Sequence, residues 1–533
     1  MAVTVAVIGG GPLGISAIKN LTEEGFDCTG FESRSYLGGV WKYNTDEHLS
    51  VQESTIFNSS SLRSAFTDFP FDDDVDDFPT WQQFSKYIND YADHYDVRRK
   101  FQLNSYVESV TREDGRWAIS IKQKDGSLRK EVFDKVVIAN GYFTSPRIPS
   151  IEGIETFSGP ALHAINFHHP EQYDGKNVLI IGLHASGQDV VKMLVGHANQ
   201  VYLSHRNGII MVGRYAKDGA VTDAAQTMGV TKVALFLMEW FPNFYNWVFD
   251  RLAKSMSHQA FPNLPAAWGF SPAPPIYITN PIVGDDLFPL MEAGWAKPVG
   301  AVEKFTGPRS AKLKGGDELE DIDAIVYCTG YDASTPFLKD DLNPYPEPGQ
   351  QGNLYRNIFL LHPDPAIRES IAFIGHGGIV WPGLSTFELQ SAAVAQIWAG
   401  KSKLPPLKEM KQWNDNLIAY RKDLFSSQPT ESTHYPAIMP TADQLRWLDK
   451  TAGTDVLDHF GWSWKAWRFW WRDREFYRLC KSGLLSSALW RLFETGKRRA
   501  WGGAREQIYR DNEALKRQVE RKKAEGLGMK KDV

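Results

Sequence analysis

Val3-Thr4-Val5-Ala6-Val7-Ile8-Gly9-Gly10-Gly11-Pro12-Leu13-Gly14 is the stretch that decides the fold. A short apolar run meets a glycine turn, and an amphipathic stretch follows to about Glu24. That order predicts a buried parallel strand, a tight turn and a helix. Gly9, Gly11 and Gly14 stand in G-x-G-x-x-G register. The first glycine permits the turn, the second lets a pyrophosphate approach bare backbone, and the third lets helix and strand pack closely. Gly10, Pro12 and Leu13 complete the loop at the helix N-terminus, where free N–H groups and the dipole favour an anion. A second strand, Cys28 to Glu32, ends in an acid 23 residues after Gly9. That is close to the ~20 expected for a carboxylate that holds ribose hydroxyls. Gly38, Gly39, Val40 and Trp41 follow, and paired glycines at this point suit flavin phosphates or ring lying against backbone. Together these residues point to FAD.

A second strand–glycine–helix unit begins at Val178 and reads V-L-I-I-G-L-H-A-S-G-Q-D to Asp189. Gly182 keeps the turn and Gly187 the packing position. His184 stands where another glycine is usual, its imidazole either meeting a phosphate oxygen or turned outward. Ser186 offers a hydroxyl at the helix start, with Gln188 and Asp189 behind it. The next strand ends in Ser204-His205-Arg206 with no acid. An acid there would repel a 2′-phosphate, whereas Ser204 and Arg206 can bind one, so the second dinucleotide is NADPH and not NADH.

The chain has 533 residues, 42 % of them hydrophobic, enough for several domains with large cores. The expected fold is α/β: two Rossmann-like dinucleotide-binding domains plus a helical C-terminal extension. Residues 1–166 and 310–400 are expected to form a discontinuous FAD-binding domain, and 167–309 the NADPH-binding domain. Within the latter, about 214–285, with scattered Pro, Trp and Phe, reads as an irregular insertion. Residues 401–533 form the basic extension. Cys28, Cys328 and Cys480 lie too far apart in sequence for a C-x-x-C redox or metal pair, and no metal site is expected. Such sparse cysteines suit a cytoplasmic protein.

Residues 461–533 carry nineteen Lys/Arg against nine Asp/Glu, so the rest of a chain of net charge −5 is acidic at −15. That disfavours nucleic acid as a partner. No stretch reaches the roughly 20 apolar residues of a membrane span. In the tail, Trp462, Trp464, Trp467, Trp470 and Trp471 alternate with Lys465, Arg468, Arg472 and Arg474, a mixture that fits peripheral membrane contact. The preferred expectation is a helix whose Trp face packs on the body. Residues 511–525, with few apolar side chains, read as a solvated helix.

Between the glycine loops, F-S-G-P-A-L-H-A-I-N-F places Phe157, Gly159, His163 and Phe167 in a pattern that resembles the signature of the flavin-containing monooxygenases. Four further matches follow the order of that family. They are Asn58 ahead of Phe66-Thr67-Asp68-Phe69-Pro70, the strand Asp323 to Tyr331 containing Thr329 and Gly330, Glu388-x-Gln390, and Arg491 to Arg505. The resemblance implies an NADPH- and FAD-dependent enzyme that uses O₂, through a C4a-hydroperoxyflavin, to oxygenate a soft nitrogen or sulfur nucleophile of a small organic substrate. It places Gly9 to Gly14, Glu32, Gly39, Val40 and Trp41 at FAD, and Gly182, Ser186 to Asp189, Ser204 and Arg206 at NADPH. Thr329 and Gly330 join the cofactor contacts, and Asn58 is the catalytic amide between flavin and nicotinamide. His163 is assigned a hinge role. Three positions depart from the pattern: His184, Ser61 in place of lysine, and Phe57 in place of threonine.

Two other readings share the loops. A Baeyer–Villiger monooxygenase usually ends the signature in Trp followed by Pro or Asp, where this chain has Phe167-His168. A dinucleotide-binding redox sensor would not need Asn58 or the full signature. A disulfide reductase is excluded by the isolated cysteines.

Overall fold

Strand β1 (Thr4–Ile8) lies inside a seven-stranded sheet, paired in parallel with β2 (Asp27–Phe31) on one side and with Lys135–Ile138 on the other. Across the sheet the order is Leu354–Tyr355, Phe359–Leu360, Ile371–Phe373, Lys135–Ile138, β1, β2 and Phe101–Gln102. The computed structural model describes residues 2–45, 49–123, 125–347, 349, 351–377, 383–426 and 439–529. One face of the sheet carries helix α1 (Pro12–Glu23) and the helix Trp81–His94, packed through Ile15, Ile18, Phe84 and Tyr91. An antiparallel sheet of Tyr106–Glu113, Arg116–Lys122 and Leu128–Phe133 covers the other face through Trp117, Ile119 and Phe133. Burial on both faces is why β1 reads as an unbroken apolar run instead of alternating.

The second sheet is parallel throughout: Ala296–Val299, Gln200–Ser204, Asn177–Ile181, Ala324–Tyr327 and Ala161–His163. This corrects two expected boundaries. Residues 310–330 do not belong to the first domain, because Ala324–Tyr327 pairs with Val178–Ile181 and is buried along its length. Residues 161–163 likewise extend the second sheet. The chain crosses between the domains where Ser145–Pro146 pairs antiparallel with Tyr331–Asp332, beside an Arg147–Asp332 ion pair.

The insertion is not irregular. It contains a hairpin of two helices, Met228–Trp240 and Pro242–Ala260. The Thr227 hydroxyl caps the first by accepting from Val230 N at 3.2 Å. Pro242, which looks like a breaker, is the first residue of the second helix, where its fixed φ is suited and no N–H is missed.

The C-terminal helices share a core around Leu389, Leu445, Phe460 and Trp490. The Trp-rich helix Trp464–Arg472 turns its tryptophans outward, against the preferred expectation: Trp464 is 69 % and Trp471 59 % exposed. Ala466 is buried and Phe469 packs on the core, so they occupy the inner side. Trp464, Trp467 and Trp471, three and four residues apart, stack outside with ring centroids 4.6 and 5.6 Å apart. The last helix, Ala504–Met529, is also not simply solvated. Gln518 donates to the Gly219 carbonyl at 2.8 Å, and Arg521 pairs with Asp77 at 2.5 Å. Among the described residues no helix is long and apolar enough to cross a membrane.

Candidate functional site

Gly9 adopts φ +108°, which strains any residue with a side chain. A Cβ on Gly14 would overlap the Gly9 carbonyl, so helix and turn can close only on glycine. Gly11 is different. Its φ is −74°, and an added Cβ would find Gly39 Cα as its nearest neighbour at 3.8 Å. Gly11 therefore leaves open a space that the fold does not need. Gly9, Gly11, Pro12, Leu13, Gly39, Val40 and Trp41 all wall one cavity of about 1770 Å³.

Glu32 also lines that cavity, but its carboxylate has a second task. Oε2 accepts from Gly10 N at 2.7 Å and Oε1 from Arg34 N at 2.8 Å, which pins the glycine loop to the end of β2. A carboxylate has about four acceptor sites, so these bonds leave capacity for ribose hydroxyls. Arg34, which the motifs did not single out, donates to the carbonyls of Gly39 and Leu49 and lines the same cavity. Its only sequence signal is a cation two residues beyond the strand-end acid.

Asn140, the second missed group, follows the strand Lys135–Ile138 and lines the cavity. Its Nδ2 donates to Ser334 O at 2.9 Å, and its Oδ1 lies 3.1 Å from His376 Nε2. Tyr345 holds the other imidazole nitrogen at 2.9 Å. Burial drives the His376 pKa down to about 3, so the imidazole is neutral, with Nε2–H donating to Asn140 and Nδ1 accepting from Tyr345.

Asn58 is exposed, and its neighbours Phe57 and Ser59 line the cavity. Phe57 stacks on Phe84 at 4.2 Å, and Trp41 meets both rings edge-on. The segment is then anchored by Ser60, whose N–H and hydroxyl both donate to the Asp223 carboxylate at 2.8 Å. Buried Arg63 donates to the carbonyls of Asp223 and Gln226.

The second loop repeats the first. Gly182 has φ +110°, and a Cβ on Gly187 would overlap the Gly182 carbonyl. His184 stands exposed at the helix N-cap, with Ser186 and Gln188 half-buried behind it. Two expected NADPH contacts are placed otherwise. Ser204 is buried, and its hydroxyl donates to Gly300 O at 3.0 Å, leaving Arg206 as the exposed member of the pair. Asp189 accepts from the Thr55 hydroxyl at 2.7 Å, tying the second helix to the first domain. Thr329 and Gly330 sit at the domain crossing: Thr329 donates to Arg147 O, and the Gly330 carbonyl accepts from Arg147 N at 2.9 Å. His163 Nε2 lies 3.1 Å from that same carbonyl, and burial holds its pKa below the usual histidine range. Of the residues expected at cofactor, the structure thus gathers much of the first-loop set around the cavity. None of the second-loop set is in that wall.

The cavity has two kinds of wall. Glycine backbone, Glu32 and Arg34 form one end, and the helical hairpin forms the other. The glycine end fits a dinucleotide: bare backbone at a helix N-terminus, an open space at Gly11, and an acid within reach.

Comparison with known proteins agrees. The profile of the flavin-binding monooxygenase-like family matches residues 2–522. Monooxygenase aurF of Gibberella zeae is 34 % identical over 95 % of this chain and 96 % of its own length. Flavin-containing monooxygenase 2 of Homo sapiens is 30 % identical over 82 % of this chain and 81 % of its own. Among solved structures, S-allyl-L-cysteine S-oxygenase from Allium sativum superposes with a TM-score of 0.60 at 24 % identity, covering 85 % of this chain and 89 % of that one. The chain belongs to the flavin-binding monooxygenase-like family and is an FAD- and NADPH-dependent oxidoreductase.

Proposed function

We propose that this enzyme oxygenates a soft nucleophilic nitrogen or sulfur of a small organic substrate. The observation that carries the reading is that the dinucleotide cradle opens into an apolar chamber within one cavity. Bound FAD, reduced by NADPH, supplies O₂ activation; the chain supplies position and dryness. Gly9 to Leu13 and Glu32 hold the dinucleotide, and Arg34 braces the Gly39 loop against it. Asn58, carried between Phe57 and Ser59, supplies an amide at the reacting end. Arg206 holds the 2′-phosphate of NADPH. No thiol competes: Cys28, Cys328 and Cys480 are buried, and burial pushes Cys28 and Cys480 up to about 12.

The test is turnover by the FAD-loaded chain with a tertiary amine and a dialkyl sulfide. An N-oxide or S-oxide is expected, with one NADPH and one O₂ consumed per product. Ester formation from a ketone, with neither oxide formed, would move the chain to Baeyer–Villiger chemistry. No NADPH consumption with any substrate would favour the redox sensor.

The outward tryptophans support a second proposal: a cytoplasmic enzyme that touches membrane surfaces through the helix Trp464–Arg472. Arg474 lies over the Trp470 ring at 4.4 Å, so cation and aromatic face share one surface.

A further inference from the structure

The hairpin has a pattern that ordinarily fills a core. On its first helix Val230, Val233, Ala234 and Leu237 recur at helical spacing, and all four face the cavity. On the second, Tyr245, Val248, Phe249, Leu252 and Met256 do the same. Tyr245 and Phe249 stack at 5.5 Å. Protein atoms do not cover these stripes: Val233 is 60 % and Leu252 57 % exposed. Two apolar stripes converging on a shared void, instead of on each other or on a third element, point to a ligand. Its volume of about 1770 Å³ also exceeds the roughly 300–1,000 Å³ of an ordinary ligand pocket.

The hairpin's cavity wall holds no Lys, Arg, Asp or Glu. Burial pushes the Tyr245 phenol up to about 12, so this wall is uncharged at neutral pH. The nearby Asp223 has both carboxylate oxygens engaged by Ser60. A charged ligand would lose its hydration here without gaining a partner. Met238 and Met256 give the wall adaptable shape.

We propose that the helical hairpin Met228–Ala260 is the substrate compartment, and that it takes bulky, uncharged, apolar molecules the size of several rings. The substrate class rests on the monooxygenase reading, whereas binding can be read without turnover. The probe is N-phenyl-1-naphthylamine, uncharged at neutral pH and brighter out of water, titrated into the FAD-loaded full chain. Saturable binding is expected in the wild type. Val233→Arg and Leu252→Arg, each at an exposed cavity position, should weaken it about tenfold or more, the worth of one apolar side-chain contact. Phe236→Arg lies on the same hairpin outside the cavity wall and should leave binding within about twofold. Flavin absorbance confirms folding of each variant. Equal binding by both cavity variants and the wild type overturns the compartment, as does an equal loss in Phe236→Arg. Probe binding with no oxidation of any amine or sulfide would sink the reading of function and leave the compartment standing. Turnover of a small sulfide without saturable probe binding would do the reverse.

Discussion

The Thr55 hydroxyl donates to the Asp189 carboxylate at 2.7 Å, and this bond joins the segment leading to Asn58 to the helix of the second glycine loop. Lys192, on that same helix, adds a bond to Ser54 O at 2.8 Å. Thr55→Val keeps the shape and removes the donor from a buried acceptor, so stability should fall by about 1–3 kcal/mol. Calorimetric melting checks it; an unchanged transition would show that the bond is dispensable.

Asp189 also sets a pH dependence. Burial raises its pKa above the usual aspartate range, so the folded protein takes up this proton more readily than the unfolded chain. The cost of the charge is therefore full at neutral pH and disappears as pH falls through the folded-state pKa. Asp189→Asn, which can still accept from Thr55, should exceed the wild type in melting temperature at pH 7 and lose that margin in acid. A margin that grows on acidification contradicts this.

The two glycines of the first loop should fail differently. Gly14→Ala places a Cβ on the Gly9 carbonyl and should give little folded protein. Gly11→Leu is tolerated by the backbone but fills the cradle, so a folded, colourless protein is expected. A Gly11→Leu variant with full flavin absorbance would refute the placement of the phosphates.

Arg206→Ala should weaken NADPH about tenfold or more, the loss of a charge-assisted hydrogen bond of about 1.5–3 kcal/mol, with little effect on NADH. Half-reduction rates against coenzyme concentration separate the two. Equal loss for both would make Arg206 a structural residue.

Asn58→Ala should leave FAD bound and flavin reduction by NADPH largely intact. Product should fall and hydrogen peroxide rise, as reducing equivalents leak to O₂. Retention of wild-type coupling would reduce Asn58 to a turn residue.

Replacing Trp464, Trp467 and Trp471 together with Ala should abolish sedimentation with phosphatidylcholine–phosphatidylserine vesicles. If the wild type does not sediment either, the membrane proposal fails.

Both glycine loops were legible because three constraints coincide at Gly9 to Gly14: positive φ, close packing and backbone facing a void. Each constraint selects glycine for a separate reason. The insertion was illegible because Pro242 and Asn243 looked like interruptions, although Pro at a first helical position starts a helix. Its stripes at 230–237 and 245–256 were present but were masked by apolar residues on other faces, among them Phe236 and Trp240. The last helix was misread because packing was sought in apolar residues. Gln518 and Arg521 dock it by polar bonds, which leave no hydrophobic period. Ser204 and Asp189 show a further limit: a side chain near a motif can be consumed by the fold before any ligand arrives.

The antiparallel pairing of Ser145–Pro146 with Tyr331–Asp332 has a consequence for biosynthesis. The ribosome releases the whole NADPH module before it makes Ile371–Phe373, the strand that completes the pairing of Lys135–Ile138. The nested module can therefore mature while its host still shows an open sheet edge, a reversal of the usual N-terminal-first order. That waiting edge, apolar and unpaired, is where a chaperone would be needed.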